Sequence, residues 1–259
     1  MSTDAPALTG MPNRISVPGT FNFRAVAADV PNGRIRPGRL LRSDAIDRIG
    51  DAGRDAIAAL DVRRVIDLRT PEEAAAQPDD LDGLRLADGT PVEHVALPIL
   101  AGSVTQLDPS SLNLGSVYRH LTDDGGTALA LALRAIADAG GPVLVHCTAG
   151  KDRTGVVVAL ALTVAGAGID DIARDYEASE RLLDGPWSEA MLARVASYGM
   201  PIGDGLIELV TKSPERVIRA LLDDLAAEHG SIDGYLDSIG FDAGDRERLA
   251  SALVTEVAR

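Results

Sequence analysis

A single cysteine, two lysines and an aromatic content of only 3% set the limits within which this chain of 259 residues works. One cysteine rules out an intramolecular disulfide framework, suits a reducing compartment and leaves Cys147 without a resolving thiol. With so few aromatics, the core has to be built from Ala, Val, Leu and Ile, and 46% hydrophobic content is ample for one domain of this length. Acidic residues outnumber basic ones, 39 to 25, and all but two of the basic residues are arginine. A net charge of −14 offers no basic face for phosphate neutralisation along a duplex, so no nucleic-acid partner is expected. The longest uncharged apolar run, residues 155–169, is shorter than the roughly 20 residues of a membrane span. Residues 1–6 have neither the basic region nor the apolar core of a secretory signal. A cytoplasmic protein without a stable membrane anchor is therefore expected, with export by a route that needs no such signal left open.

Against that background, the lone cysteine and one of the two lysines fall in the same short stretch, residues 141–155. Val143, Leu144 and Val145 follow Gly141-Pro142 and read as a buried strand ending near His146. Thr154 and Gly155 lead into an apolar helix. The intervening loop carries Ala149 and Gly150, small enough to let the backbone approach a ligand. A loop that bends into a helix N-terminus gathers unpaired N–H groups at one spot, where the helix dipole favours an anion. Cys147 opens the loop and Arg153 closes it. Thiolate is the nucleophilic form of cysteine, and a guanidinium fork binds two phosphoryl oxygens at once. The pair describes in-line attack of Cys147 on a phosphate monoester, with Arg153 and the loop amides stabilising the equatorial oxygens. Hydrolysis of the cysteinyl phosphate completes the cycle, and the Thr154 hydroxyl is placed to ease departure of the thiolate. The scheme calls for no metal and no other cofactor.

The string His146-Cys147-Thr148-Ala149-Gly150-Lys151-Asp152-Arg153-Thr154-Gly155 resembles the signature of the cysteine-dependent protein tyrosine phosphatase superfamily. Its ending is similar to the bacterial tyrosine/serine, triple-specificity and phosphoinositide-active branch. Further landmarks of that branch occur in its order: Asn22-Phe23-Arg24, Leu41-Arg42-Ser43, Val65-Ile66-Asp67-Leu68-Arg69, Asp175-Tyr176 with Ser179, and His229-Gly230-Ser231 with Tyr235-Leu236 and Gly240. One departure is Ala25, where the branch often has an acidic residue. The resemblance implies a phosphatase acting on phosphotyrosine, with phosphoserine/phosphothreonine or phosphoinositides as further substrates. It leaves the oligomeric state open. The expected phosphate-binding set is His146, Thr148, Ala149, Gly150, Lys151 and Thr154 in the loop, with Arg69 at the end of its strand.

Along the chain, residues 1–18 read as a flexible lead-in and 19–259 as one phosphatase domain. Strands are expected at 21–27, 40–42, 62–68 and 143–146, and Asp88-Gly89 suggests a hairpin between 84–86 and 92–99. Thr70-Pro71-Glu72-Glu73 is a helix start with a capping Thr, Pro at the first position and a Glu reaching back. After the loop only helical patterns follow, the last at 245–257. The expected class is α/β: a central mixed sheet flanked by helices, protein tyrosine phosphatase-like, with a helical C-terminal half. Residues 184–212 hold Trp187, Met191, Leu192, Tyr198, Met200 and Ile202, which fit either core packing or a helical lid over the site.

Two carboxyls compete as general acid. Asp152 lies in the loop between cations that favour its charged form, and Asp67 ends a strand, where it is equally suited to pair with Arg69. Lys151 is an extra cation that an inositol ring with several phosphates would use. Two other readings share the loop: a non-catalytic phosphate-binding module, and thiol redox chemistry of the arsenate-reductase kind, which relays through cysteines this chain lacks.

Overall fold

Residues 14–31, 33–99, 114–197 and 202–256 are described by the structure, a computed structural model. Most of the expected lead-in therefore lies outside the described residues, as do Tyr198, Met200 and Val257.

The strands are β1 (Arg24–Ala25), β2 (Asp29–Val30), β3 (Gly33–Ile35), β4 (Leu40–Ser43), β5 (Arg64–Asp67), β6 (Glu93–Ala96), β7 (Val143–His146) and β8 (Val254–Glu256). Five of them form the central mixed sheet, in the order β1-β4-β7-β5-β6. β1 is antiparallel to β4, and the other neighbours are parallel. Alternation along the central strands supplies both faces with apolar side chains. Leu40, Ile66, Val143 and Val145 point into one cluster, while Leu41, Val65 and Leu144 point into the other.

The helices are α1 (Gly50–Ala59), α2 (Pro71–Ala76), α3 (Leu114–Asp123), α4 (Gly126–Ala137), α5 (Asp152–Val164), α6 (Ile169–Leu183), α7 (Pro186–Ser197), α8 (Asp204–Thr211), α9 (Glu215–His229), α10 (Ile232–Ser238) and α11 (Ala243–Leu253). α1 covers one face of the sheet through Ile57. On the other face α5 is the central post, buried along residues 154–162, because α3, α4, α6, α9 and α11 all pack around it. A helix apolar on every side needs this enclosure. Its N-terminus is thereby fixed against the C-terminal ends of the parallel strands, where open α/β sheets place their sites.

Two expectations change in the structure. The Asp88-Gly89 turn is present, with Leu86 N–H donating to the Thr90 carbonyl at 2.8 Å, but pairing stops at the single bridge between Arg85 and Pro91. Proline has no N–H to continue a ladder, and β6 instead pairs in parallel with β5. The last helix ends at Leu253. β-Branched Val254 and Thr255 leave it and pair with β3, closing a second sheet of order β2-β3-β8.

Candidate active site

β7 ends at His146, the chain crosses Cys147, Thr148, Ala149, Gly150 and Lys151, and α5 begins at Asp152. No side chain caps that helix start, so its N–H groups remain available to an anion. Cys147 is buried, 2% exposed, at the foot of the loop. The loop's tight path depends on Gly150, whose φ of +62° is left-handed and where a Cβ would lie 2.0 Å from the Ser43 carbonyl oxygen.

Buried polar side chains hold this path from below. Asn22 Nδ2 donates to the Ala149 and Gly150 carbonyls at 2.9 and 3.0 Å, and Arg42 Nη2 donates to the Gly150 carbonyl at 2.7 Å. Asp175, from α6, accepts from both Arg24 and Arg42, and Arg24 also donates to Ser179 Oγ at 3.0 Å. Burial would raise the Asp175 carboxyl, but the charges of Arg42 and Arg24 hold it below the usual carboxylate range. Asp44 accepts from the Phe21 and Asn22 amides at 2.9–3.1 Å; burial pushes its carboxyl up to about 6 despite those bonds. The landmarks Asn22, Arg24, Arg42, Asp175 and Ser179 thus converge on the underside of one loop.

At the other end, Arg153 is gripped by a residue read from sequence only as a helix cap. Glu73 closes the α2 capping box with Thr70, and the same carboxylate accepts from both terminal nitrogens of Arg153, with the Nη2 contact at 2.8 Å. It also accepts from Thr148 Oγ1 at 2.6 Å. Burial alone would raise the Glu73 carboxyl, but the Arg153 bond and charge bring it down to about 2. Burial likewise opposes the charge on Arg153, and Glu73 with the Cys147 sulfur outweighs it, so the guanidinium is held firmly protonated. Glu73 takes the Nη1–Nη2 edge of the fork, and the Nε–Nη2 edge is its second bidentate face. Thr154 Oγ1 is buried and makes no hydrogen bond, so its hydroxyl has no bond to the sulfur here.

Four predicted side chains, Asp67, Arg69, Lys151 and His146, have partners other than those their expected roles call for. Both oxygens of buried Asp67 accept from Arg69, whose Nη2 is 2.8 Å from Oδ2 and whose Nε is 2.9 Å from Oδ1. Arg69 is completed by Asp79 at 2.6 Å and the Gln77 carbonyl at 2.7 Å. This is the structural pair that competes with an acid role for Asp67, because both of its oxygens are taken up by the guanidinium. Lys151 is buried and donates to the Leu209 and Lys212 carbonyls at the C-terminal end of α8, where an ammonium suits the exposed carbonyls. His146 turns its Nε2 to Asp79, 3.1 Å away, rather than toward the loop. Asp152 stays at the loop, where Tyr118 Oη lies 2.9 Å from its Oδ1 and 2.7 Å from Tyr176 Oη. Burial raises the Tyr118 phenol well above its ordinary value, so it remains a neutral donor.

Beside Thr148 opens a cavity of about 330 Å³, walled by Phe21, Trp187 and Met191 with Asp44, Gln77 and Arg194 among its polar lining. α7 therefore borders the loop. It buries only Ser188, and α8 only Val210.

The tyrosine phosphatase family profile matches residues 15–255. Over 278 aligned positions the chain is 32% identical to the triple specificity protein phosphatase PtpB of Mycobacterium tuberculosis, covering 92% of this chain and 98% of that protein. It is 30% identical to a tyrosine-protein phosphatase of Nostoc commune over 90% of this chain and 86% of that one. The core catalytic domain of the PP-IP phosphatase SIW14 from S. cerevisiae, solved with citrate, overlaps 82% of this chain and 95% of that chain at 15% identity, with a TM-score of 0.40. No helix among the described residues is long and apolar enough to cross a membrane. A family match over nearly the whole length, joined to a cysteine and an arginine at the two ends of one anion-binding loop, means that this chain belongs to the tyrosine phosphatase family and is a cysteine-dependent phosphatase.

Proposed function

We propose that Cys147 is the nucleophile of a phosphate-monoester hydrolase whose preferred substrate is phosphotyrosine. The observation that carries this reading is the uncapped α5 N-terminus, with Cys147 at its foot and Arg153 held in place by Glu73. Sγ attacks phosphorus in line, an S–P bond forms and the P–O bond to the leaving group breaks. Arg153 and the loop amides carry the charge on the equatorial oxygens. Asp152 supplies the proton to the leaving oxygen, with Tyr118 orienting its carboxyl; Asp67 acts only by positioning Arg69 and the strand end. Water then attacks the cysteinyl phosphate, Asp152 takes back a proton, and the sulfur leaves as thiolate. The Thr154 hydroxyl, free of other partners, turns to that sulfur as it departs.

Substrate choice follows from the cavity. Phe21, Trp187 and Met191 offer apolar walls to a phosphorylated aromatic ring beside Thr148. The M. tuberculosis relative is named a triple specificity protein phosphatase, which supports phosphoserine/phosphothreonine as secondary substrates here. Phosphoinositides would need Lys151, and that side chain is engaged with α8; displacement of α8 would free it. Residues 184–212 act in this scheme as a lid. A single cysteine fits action in the reducing cytoplasm.

The test is aryl-phosphate hydrolysis in EDTA, wild type beside Cys147→Ser. Turnover that survives chelation and disappears in the variant supports the reading. Saturable phosphate binding without turnover in the wild type would replace it with a binding module.

A further inference from the structure

Beneath the phosphate loop three neighbouring parallel strands bring histidine and aspartate together. β5 contributes Asp67, which stands opposite His146 of β7, and β6 contributes His94, opposite Val65 of β5. Asp79, in the segment after α2, inserts between the two imidazoles: its Oδ2 is 3.0 Å from His94 Nε2 and 3.1 Å from His146 Nε2. Asp67 Oδ1 is 3.9 Å from the same His146 nitrogen. One donor atom from each of the four residues lies within 4.8 Å of all the others. Tetrahedral zinc, with bonds of about 2.0–2.1 Å, sets its ligand atoms roughly 3.3–3.4 Å apart. The observed separations bracket that figure.

An imidazole–carboxylate–imidazole chain is on its own a hydrogen-bond network, but here the surroundings match those of a metal centre. Arg69 orients both carboxylates as an outer shell does, holding Asp67 through Oδ2 at 2.8 Å and through Oδ1 at 2.9 Å, and Asp79 through Oδ1 at 2.6 Å. Two carboxylates against one guanidinium leave the group one negative charge in excess when both imidazoles are neutral. His146 Nδ1 is buried with no partner, so moving the ring proton from Nε2 to Nδ1 breaks no existing bond at Nδ1 and frees Nε2 as a ligand. His94, with its side chain 41% exposed, opens the cluster to solvent, while His146, Asp67 and Asp79 close it on the inside. Mixed imidazole and carboxylate donors suit zinc-class ions rather than calcium or magnesium, which take oxygen ligands.

We propose that Asp79, His94 and His146, with Asp67 as the fourth ligand, form a binding site for a divalent zinc-class ion. The bound ion ties the ends of β5, β6 and β7 together and fixes the ring of the residue directly before Cys147. It takes no part in the proposed turnover, which survives chelation. It is a site at which metal availability acts on the floor of the catalytic loop. Because an imidazole must be neutral to ligate, protons compete with the ion for the site.

The experiment uses the full chain carrying Cys147→Ser, which removes the one thiol, titrated with Co²⁺ followed by its visible spectrum and, separately, with Zn²⁺ followed by the thermal midpoint. One equivalent of Co²⁺ giving the intense bands of four-coordinate cobalt, and a midpoint that rises with Zn²⁺, is the expected result. Adding His94→Ala lowers the Co²⁺ affinity by about 100-fold or more, in keeping with loss of a ligand. Adding His120→Ala, which breaks only the surface pair with Asp124, leaves it unchanged. Absence of both signals in the parent, or signals that persist in the His94→Ala chain, overturns the proposal whether or not the phosphatase reading stands.

Discussion

The floor of the phosphate loop and the helical segment beside its mouth are built in opposite ways. Under the loop, Asn22, Arg24 and Arg42 are buried and Asp175 nearly so, and each is tied to the others or to loop carbonyls. Beside the mouth, α7 and α8 bury one residue each, and Ile202, just before α8, and Ile207 on it are exposed. An anion site has to be preorganised, because every donor must already face the oxygens when charge develops. A cover over it, the role proposed for this segment, has to yield, and lightly packed helices suit that role. Rigidity and access are divided between two regions of the same chain.

Removing Arg42 attacks the rigid half most directly. Arg42→Ala leaves Asp175 short of a partner in the interior and the Gly150 carbonyl without its donor, and is expected to lower unfolding free energy by about 3–5 kcal/mol in denaturant titrations and to abolish turnover. A loss confined to activity would mean that the floor shapes the loop without stabilising the fold. The pH dependence of stability probes the same floor. Asp44 titrates near 6 when folded against 3.8 otherwise, mainly because of burial. Between those values the unfolded carboxyl is ionised while the folded one keeps its proton, so this group's contribution falls as pH rises through the interval and the loss is complete above it. It amounts to at most about 3 kcal/mol. Thermal midpoints of wild type and Asp44→Asn across pH 3 to 7 should therefore differ in slope over that interval, the variant being flatter.

Glu73→Gln sharpens the comparison at the rim. Glutamine preserves the capping box but loses the charge that anchors Arg153, so kcat/KM for an aryl phosphate should fall about 10- to 100-fold with the melting temperature little changed. A fall in both together would make Glu73 a structural residue only. The smallest stability effect is expected in the cover: Trp187→Ala should cost under about 1 kcal/mol while raising KM for aryl phosphates and sparing kcat. Equal losses of stability in Trp187→Ala and Arg42→Ala would break the division between the two regions.

The loop was legible in the sequence because its chemistry places a nucleophile, a glycine turn and an arginine within one contiguous stretch, and no folding step separates them. The mixed sheet and the enclosed α5 followed from apolar runs of the right lengths. What supports the loop was visible only as scattered landmarks, since Asn22, Arg42 and Asp175 meet through the pairing of β1 with β4 and the packing of α6 under α5. Glu73 satisfied a local rule so fully, as the partner of Thr70, that its second bond to Arg153 had no separate signal. Lys151 shows the converse: its position in the motif pointed to the substrate, while the carbonyls of α8, brought near only by the tertiary fold, hold its ammonium. Pro91 and the β-branched pair Val254-Thr255 contained the reasons for the missing hairpin and the short last helix, but the alternative strand partners lie far along the chain.

The central claim is that phosphate passes through the sulfur of Cys147. Acid quenching of the wild-type enzyme during turnover of an aryl phosphate, followed by mass spectrometry of its peptides, tests this most directly. The account predicts one phosphoryl group on the peptide containing Cys147, gained and lost as substrate is consumed. Steady release of phosphate with that peptide unmodified, or with the label on another residue, would contradict it.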